Sequence, residues 1–152
     1  MRIDGLQKMT LLDFPGKVAC TVFTGGCNFR CPFCHNALLV TELPEKPDYT
    51  VDEILSFLKK RAGLLDGVAI TGGEPLMNPE IGDFIKEIRN LGYAVKLDTN
   101  GSYPDRLKTI VNEGLVDYVA MDIKNCKDKY AETIGLKSYD LSKIEESVEF
   151  LK

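Results

Sequence analysis

Three thiols share one short stretch of the chain, GGCNFRCPFCHN from Gly25 to Asn36, as Cys27, Cys31 and Cys34 at spacing CxxxCxxC. Thiolates are soft ligands and nucleophiles, so three in one loop point to metal or redox chemistry. The ending Cys31-Pro-Phe-Cys34-His35 has the C-x-x-C-H form of a covalent haem attachment, and the same pair could be half of a zinc site or a redox dithiol. Cys27 adds a third sulfur to the loop.

Three protein ligands leave a metal centre one short. A structural zinc wants four, usually as two spaced pairs. The remaining candidates are awkwardly placed: Cys20 falls inside an expected strand, Cys126 is far along the chain, and His35 is the one histidine. Haem attachment is normally completed outside the cytoplasm and needs an export signal, which the N-terminus does not resemble. An iron-sulfur cube has a different arithmetic. Each iron takes one external ligand, so three cysteines hold three irons and leave the fourth open to a non-protein ligand. An open iron implies chemistry rather than electron storage.

The chain that must position this loop has 152 residues, 44% of them apolar, with a formal net charge of -4 and five cysteines. One globular domain over residues 1–152 is expected. The acidic balance gives no basic face for a phosphate backbone, so nucleic acid is not an expected partner. No apolar run approaches the roughly 20 residues of a membrane span, and MRIDGLQKMT lacks the apolar core of a signal peptide. A cytoplasmic protein without a membrane partner is expected, and in a reducing cytosol its thiols read as ligands rather than disulfides.

Periodicity supplies the scaffold. Residues 17–24, KVACTVFT, read as a buried strand, followed directly by the cysteine loop. Thr50 with Glu53 forms a capping box for a helix whose Ile54, Leu55, Phe57 and Leu58 share one face. GVAIT (67–71) is a second strand, and Asn78-Pro79 opens a helix carrying Ile81, Phe84, Ile85, Ile88 and Leu91. YAVKLDT (93–99) is a third strand with its helix at 104–113. DYVAMDIK (117–124) is a fourth, and Ser142 with Glu145 caps a last helix. Alternating strands and helices predict an α/β fold with a parallel sheet. GGCNFRCPFC, TGGEP, DTNG and MDIK then all fall at C-terminal strand ends, where parallel α/β folds bind ligands.

These residues resemble the radical S-adenosylmethionine (SAM) enzymes, whose signature CxxxCx(aromatic)C is matched by Cys27, Cys31, Phe33 and Cys34. Leu12-Asp13-Phe14-Pro15-Gly16, Cys34-His35-Asn36, TGGEP, LDTNG and MDIK are further similar to the activating enzymes of glycyl radical enzymes. The likeness is strongest to those of anaerobic ribonucleoside-triphosphate reductase, with those of pyruvate formate-lyase close by. The resemblance implies a parallel-stranded partial (β/α) barrel and a 4Fe-4S cluster on Cys27, Cys31 and Cys34, with SAM on the open iron. It implies reductive cleavage of SAM to a 5'-deoxyadenosyl radical that generates a glycyl radical on a partner enzyme, with a flavodoxin- or ferredoxin-like reductant.

By the same resemblance, Gly72 and Gly73 hold the amino-acid end of SAM and Glu74 accepts from its ammonium. Phe33 packs on adenine, and the backbone around Cys34, His35 and Asn36 bonds its edge. Asp98, Thr99 and Asp122 match positions that bind a monovalent cation in some relatives, and otherwise bond ribose hydroxyls or loop amides. Lys124 and Asn125 match ribose-side positions. Asp13 and Gly16 match a loop that contacts the partner's glycine segment. No catalytic acid or base is expected.

Four predicted strand-helix units fall short of the six or so usual in that family, as in a compact version or a truncated barrel. Cys20 reads as a buried small apolar residue and Cys126 as a surface thiol. Two other functions fit the same residues. One is a radical SAM enzyme acting on another peptide or a small molecule; the other is a non-catalytic module stabilised by a structural metal.

Overall fold

Five strands, β1 (Ile3–Thr10), β2 (Ala19–Thr24), β3 (Gly67–Gly72), β4 (Ala94–Thr99) and β5 (Tyr118–Met121), form one sheet in that order. They are seen in a computed structural model that describes residues 1–152. β2 to β5 pair in parallel, while β1 runs antiparallel along β2. The helices are α1 (Leu38–Thr41), α2 (Val51–Lys60), α3 (Ile81–Asn90), α4 (Pro104–Asn112), α5 (Tyr130–Thr133) and α6 (Ser142–Leu151).

The α/β class and the four parallel strands agree with the sequence reading. β2 and β3 are buried on both faces, as their continuous apolar and β-branched runs require. Ile54 and Leu58 of α2, Phe84, Ile85 and Ile88 of α3, and Leu107 and Ile110 of α4 meet Val22, Val68, Ile70, Val95 and Leu97 in one core. Cys20 is fully buried in that core, and burial pushes its thiol up to about 12, so it stays a neutral apolar side chain. Cys126 is exposed. The Tyr93 hydroxyl donates to the Leu58 carbonyl at 2.6 Å, tying the end of α2 to the entry of β4.

Several expectations are corrected. β1 was not anticipated, because IDGLQKMT contains a glycine and ends in exposed Gln7, Lys8 and Met9 with no clean alternation. β5 ends at Met121 rather than Lys124, so Asp122 and Lys124 lie on the loop beyond the strand. The Thr50–Glu53 capping box is present in both directions. The helix expected to open at Asn78-Pro79 begins instead at Ile81, and Pro75 opens a single 3-10 turn, Pro75–Met77. α6 is preceded by Asp140, whose carboxylate accepts from the Ser142 amide at 3.0 Å and hydroxyl at 2.9 Å; Ser142 with Glu145 makes no capping box. No helix is long and apolar enough to cross a membrane.

Candidate functional site

The cysteine loop leaves β2 immediately after Thr24 and is held from two sides. On the inner side the glycine turn of β3 locks onto it. Gly73 N–H donates to the Thr24 carbonyl and Glu74 N–H to the Gly26 carbonyl, each at 2.8 Å. A Cβ on Gly73 would lie 1.9 Å from the Gly26 oxygen, and one on Gly72 2.3 Å from the Thr24 oxygen. The glycines are therefore required by backbone meeting backbone. The Asn36 amide spans the same junction, donating to the Gly72 carbonyl at 3.0 Å.

On the outer side a small second core grips the loop. Phe29 is buried against Tyr130, Ile134 and Ile144, and its ring meets Tyr139 edge-on at 5.2 Å between centroids. Such aromatic pairs stabilise by about 0.5–1.5 kcal/mol beyond their buried area. Arg30 N–H donates to the Ile134 carbonyl at 2.8 Å. Gly135, with φ +72°, lies so close that a Cβ would fall 2.1 Å from the Arg30 carbonyl oxygen. Neither Phe29 nor this distant clamp was identified from the sequence.

Between these supports lies a cavity of about 320 Å3 lined by Cys27, Cys31 and Cys34 together with Phe33, His35 and Asn36. Gly72, Gly73, Asp98, Thr99, Asp122 and Lys124 complete most of the wall. Twelve of the sixteen residues proposed from the sequence thus come together, and their position at the C-terminal ends of β2 to β5 is the one expected of a parallel sheet. Phe29, Val40, Thr71 and Asn100 also line the cavity and were missed. Phe33 is 54% exposed at the cavity wall.

Four residues lie elsewhere or are already engaged. Glu74 is completely buried and does not line the cavity. One carboxylate oxygen accepts from Thr99 Oγ1 at 2.7 Å and Leu76 N–H at 3.0 Å, the other from Asn100 N–H at 2.7 Å. With its oxygens turned to these donors, Glu74 braces the glycine turn against β4. Desolvation pushes its carboxyl up to about 7, against the three donors that favour the charged form. Asn125 spends its amide on Thr133 Oγ1 at 2.8 Å and its oxygen on the Cys126 N–H at 2.7 Å, outside the cavity.

Asp13 and Gly16 sit in the loop that enters β2, at the opposite end of the sheet. Asp13 accepts from the Thr21 hydroxyl at 2.6 Å. Phe14 beside it packs on Gly67, the first residue of β3, and lies 6.5 Å from the ring of Tyr118 at the start of β5. β2 has six residues, which at about 3.3 Å each separate this loop from the cysteine loop by roughly 20 Å.

The charged groups on the cavity wall are paired within the chain. Lys96 bonds Asp98, and Lys124 Nζ bonds Asp122 at 2.8 Å. Burial works against the Lys124 ammonium, but the Asp122 carboxylate outweighs it and holds the group above its usual range. Burial raises the thiols of Cys27 and Cys31.

The donor set is three thiols of one loop, Cys27, Cys31 and Cys34, lining one cavity. A mononuclear zinc draws its sulfurs to about 2.3 Å from one centre, whereas a cube places each sulfur on a separate iron and keeps them apart. Three thiols facing one cavity from one loop fit the cube.

An α/β sheet carrying a three-cysteine loop over a strand-end cavity defines the class: a strand-end ligand site with three thiol donors. Residues 21–152 match the profile of the radical SAM superfamily, and the chain belongs to it. Membership implies a 4Fe-4S cluster and SAM as cofactors. The chain is 34% identical over 136 residues to a Methanocaldococcus jannaschii protein carrying the name glycyl-radical enzyme activating enzyme, covering 87% of this chain and 54% of that one. It is 33% identical over 132 residues to the pyruvate formate-lyase-activating enzyme of Clostridium pasteurianum, covering 84% and 54%. It is also 34% identical over 126 residues to the GTP 3',8-cyclase of Alkaliphilus oremlandii, covering 80% and 39%. The chain thus spans about half the length of the first two relatives. Its fold is that of a solved TYW1 structure with a lysine-pyruvate adduct bound, at TM-score 0.55 and 19% identity over 88% of this chain and 50% of that one.

Proposed function

We propose that the chain is the SAM-cleaving core of a glycyl radical enzyme activating enzyme, with the cluster on Cys27, Cys31 and Cys34. The observation that carries this reading is one cavity with three thiols on one wall and polar groups from the ends of β3, β4 and β5 on the others. A 4Fe-4S cluster held there by Cys27, Cys31 and Cys34 with SAM beside it would supply one-electron reductive cleavage of the sulfonium, the source of a radical for hydrogen abstraction from a glycine α-carbon. The chain's residues bind, orient and shield. Gly72 and Gly73 offer backbone to the amino-acid end of SAM, Asp98 and Asp122 accept from ribose hydroxyls, and Phe33 covers the adenine beside Cys34, His35 and Asn36. A monovalent cation at Asp98, Thr99 and Asp122 fits less well, because Lys96 and Lys124 already balance the two carboxylates.

The partner in this reading is an anaerobic ribonucleoside-triphosphate reductase or a pyruvate formate-lyase-like enzyme, and the electron comes from a flavodoxin- or ferredoxin-like protein. Similarity to relatives named as activating enzymes supports it. A second reading, a radical SAM enzyme with a small-molecule substrate, draws on the comparable identity to a GTP 3',8-cyclase. It also draws on the distance of Asp13 and Gly16 from the cavity.

Reconstituted without oxygen and given dithionite, the chain is expected to cleave SAM, and Cys31→Ser to abolish the cleavage. Cleavage that persists in Cys31→Ser would show the cluster assignment to be wrong. Electron paramagnetic resonance separates the two readings. A glycyl radical signal on an added reductase or lyase supports the activase; SAM cleavage stimulated by GTP without such a signal supports the second reading.

A further inference from the structure

Asn100 follows the paired Asp98-Thr99 and is 6% exposed at the base of the cavity. Its backbone N–H is fixed by Glu74 at 2.7 Å, and its side chain belongs to a closed ring of hydrogen bonds. Asn100 Nδ2 donates to Asn28 Oδ1 at 3.0 Å, Asn28 Nδ2 donates to Ser102 Oγ at 2.9 Å, and Ser102 Oγ donates to Asn100 Oδ1 at 2.6 Å. The Ser102 backbone N–H also donates to Asn100 Oδ1, at 2.9 Å. A backbone N–H can only donate, so this contact settles which end of the amide is oxygen. The NH2 must then face Asn28 and Cys27.

That NH2 carries two hydrogens, and the ring uses one. The other is within reach of Cys27 Sγ, 3.8 Å from Asn100 Nδ2. Phe29 N–H is a second donor to the same sulfur, at 3.3 Å. No side chain donates to the sulfur of Cys31 or Cys34, so Cys27 alone of the three has a side-chain N–H at its sulfur. Hydrogen bonds to the sulfurs of an iron-sulfur centre stabilise its more negative, reduced state.

We propose that Asn100, held by Asn28, Ser102 and Glu74, is a positioning residue that sets the reduction potential of the cluster through its hydrogen bond to Cys27. The inference rests on the cluster reading above. The step concerned is addition of one electron to the cluster, taken in the test from dithionite. The ring explains why a buried Asn stands at a position that an ordinary Asn-Gly turn would leave exposed. Glu74 orders Asn100 through its backbone, and Ser102 orients its amide. A serine 75 positions beyond Cys27 thereby acts on a cysteine it does not touch.

The test is an anaerobic redox titration of the full chain, without SAM, following the signal of the reduced cluster by electron paramagnetic resonance. Iron and sulfide content are measured on each sample. In Asn100→Ala the midpoint potential is expected to shift downward at unchanged cluster loading. Ser102→Ala, which loosens the amide without removing it, is expected to shift it downward by less. Backbone support of Cys27 by Phe29 remains in both. A fully loaded Asn100→Ala with the parent's midpoint overturns the proposal. If Asn100→Ala does not hold a cluster, Ser102→Ala decides in the same way: a lowered midpoint supports the proposal and the parent's midpoint overturns it. A parent chain that binds no iron-sulfur cluster would instead overturn the reading on which the proposal rests.

Discussion

The core beneath the sheet and the clamp around the cysteine loop are built in opposite ways. The larger one gathers aliphatic and aromatic residues from β1 to β4 and from α2, α3 and α4, with Val119 of β5 at its margin. The smaller joins Phe29 to Tyr130, Ile134 and Ile144, segments some hundred positions apart, and leaves Cys27 and Cys31 partly buried at its margin. The first depends on many interchangeable contacts. The second depends on a few close ones: Gly73 against Gly26, Gly135 against Arg30, and the Glu74 carboxylate across two strand ends. Folding and cofactor chemistry are thus carried by different residues, and damage to one region should leave a different signature from damage to the other.

The widest separation is expected between Cys31→Ser and Ile85→Ala. Ile85 is fully buried in the larger core, and its truncation should cost about 2–5 kcal/mol in urea unfolding. Cys31→Ser should change the stability of the metal-free chain by less than about 0.5 kcal/mol while removing all SAM cleavage. Loss of fold in Cys31→Ser would join the two regions and defeat the comparison.

Glu74 is where the regions meet, and its removal should register in both. Glu74→Ala leaves the Leu76 and Asn100 amides and the Thr99 hydroxyl without their acceptor in a dry site. The cost should be about 1–3 kcal/mol, accompanied by weaker iron retention. A variant that loses stability yet keeps iron at the parent's level would place Glu74 wholly in the core.

Gly135→Ala tests the clamp alone. The residue would need φ +72° and a Cβ inside the Arg30 carbonyl, so the segment must shift away from the loop. Iron retained per chain should fall severalfold, and the strained φ and the clash should cost the metal-free protein about 1–3 kcal/mol. Unchanged iron retention would show that the loop holds its shape without the clamp.

The remaining expectation is a pH slope. The Glu74 carboxyl is raised from 4.5 to about 7 on folding by burial. Its contribution is therefore fully present below about pH 4.5 and lost as pH rises through about 7. Urea unfolding of the metal-free chain from pH 5 to about 8 should show stability declining across that window. In Glu74→Gln this part of the decline should vanish, on a chain made less stable throughout by the lost acceptor. An identical slope in both would assign the titration to another group.

The same division explains what the sequence made legible. Apolar and β-branched runs placed β2 to β5, because burial on both faces leaves little choice of residue, and the CxxxCxxC spacing placed the three thiols. β1 was hidden by its glycine and its exposed Gln7, Lys8 and Met9. Glu74 was assigned to the ligand by resemblance, and which way its side chain turns depends on neighbours such as Thr99 that only the fold supplies. Asp13 and Gly16 were assigned to partner contact by resemblance, and they lie at the entry of β2, at the other end of the sheet from the cavity. Asn100 looked like half of an Asn-Gly turn. Its burial depends on Asn28 and Ser102, which are brought together by the loop rather than by any local pattern.

The most direct test of the central claim is iron and acid-labile sulfide analysis of the chain purified without oxygen. About four iron and four sulfide per chain, both lost in Cys27→Ser, are the expected result. A colourless protein holding one zinc and no sulfide would contradict it.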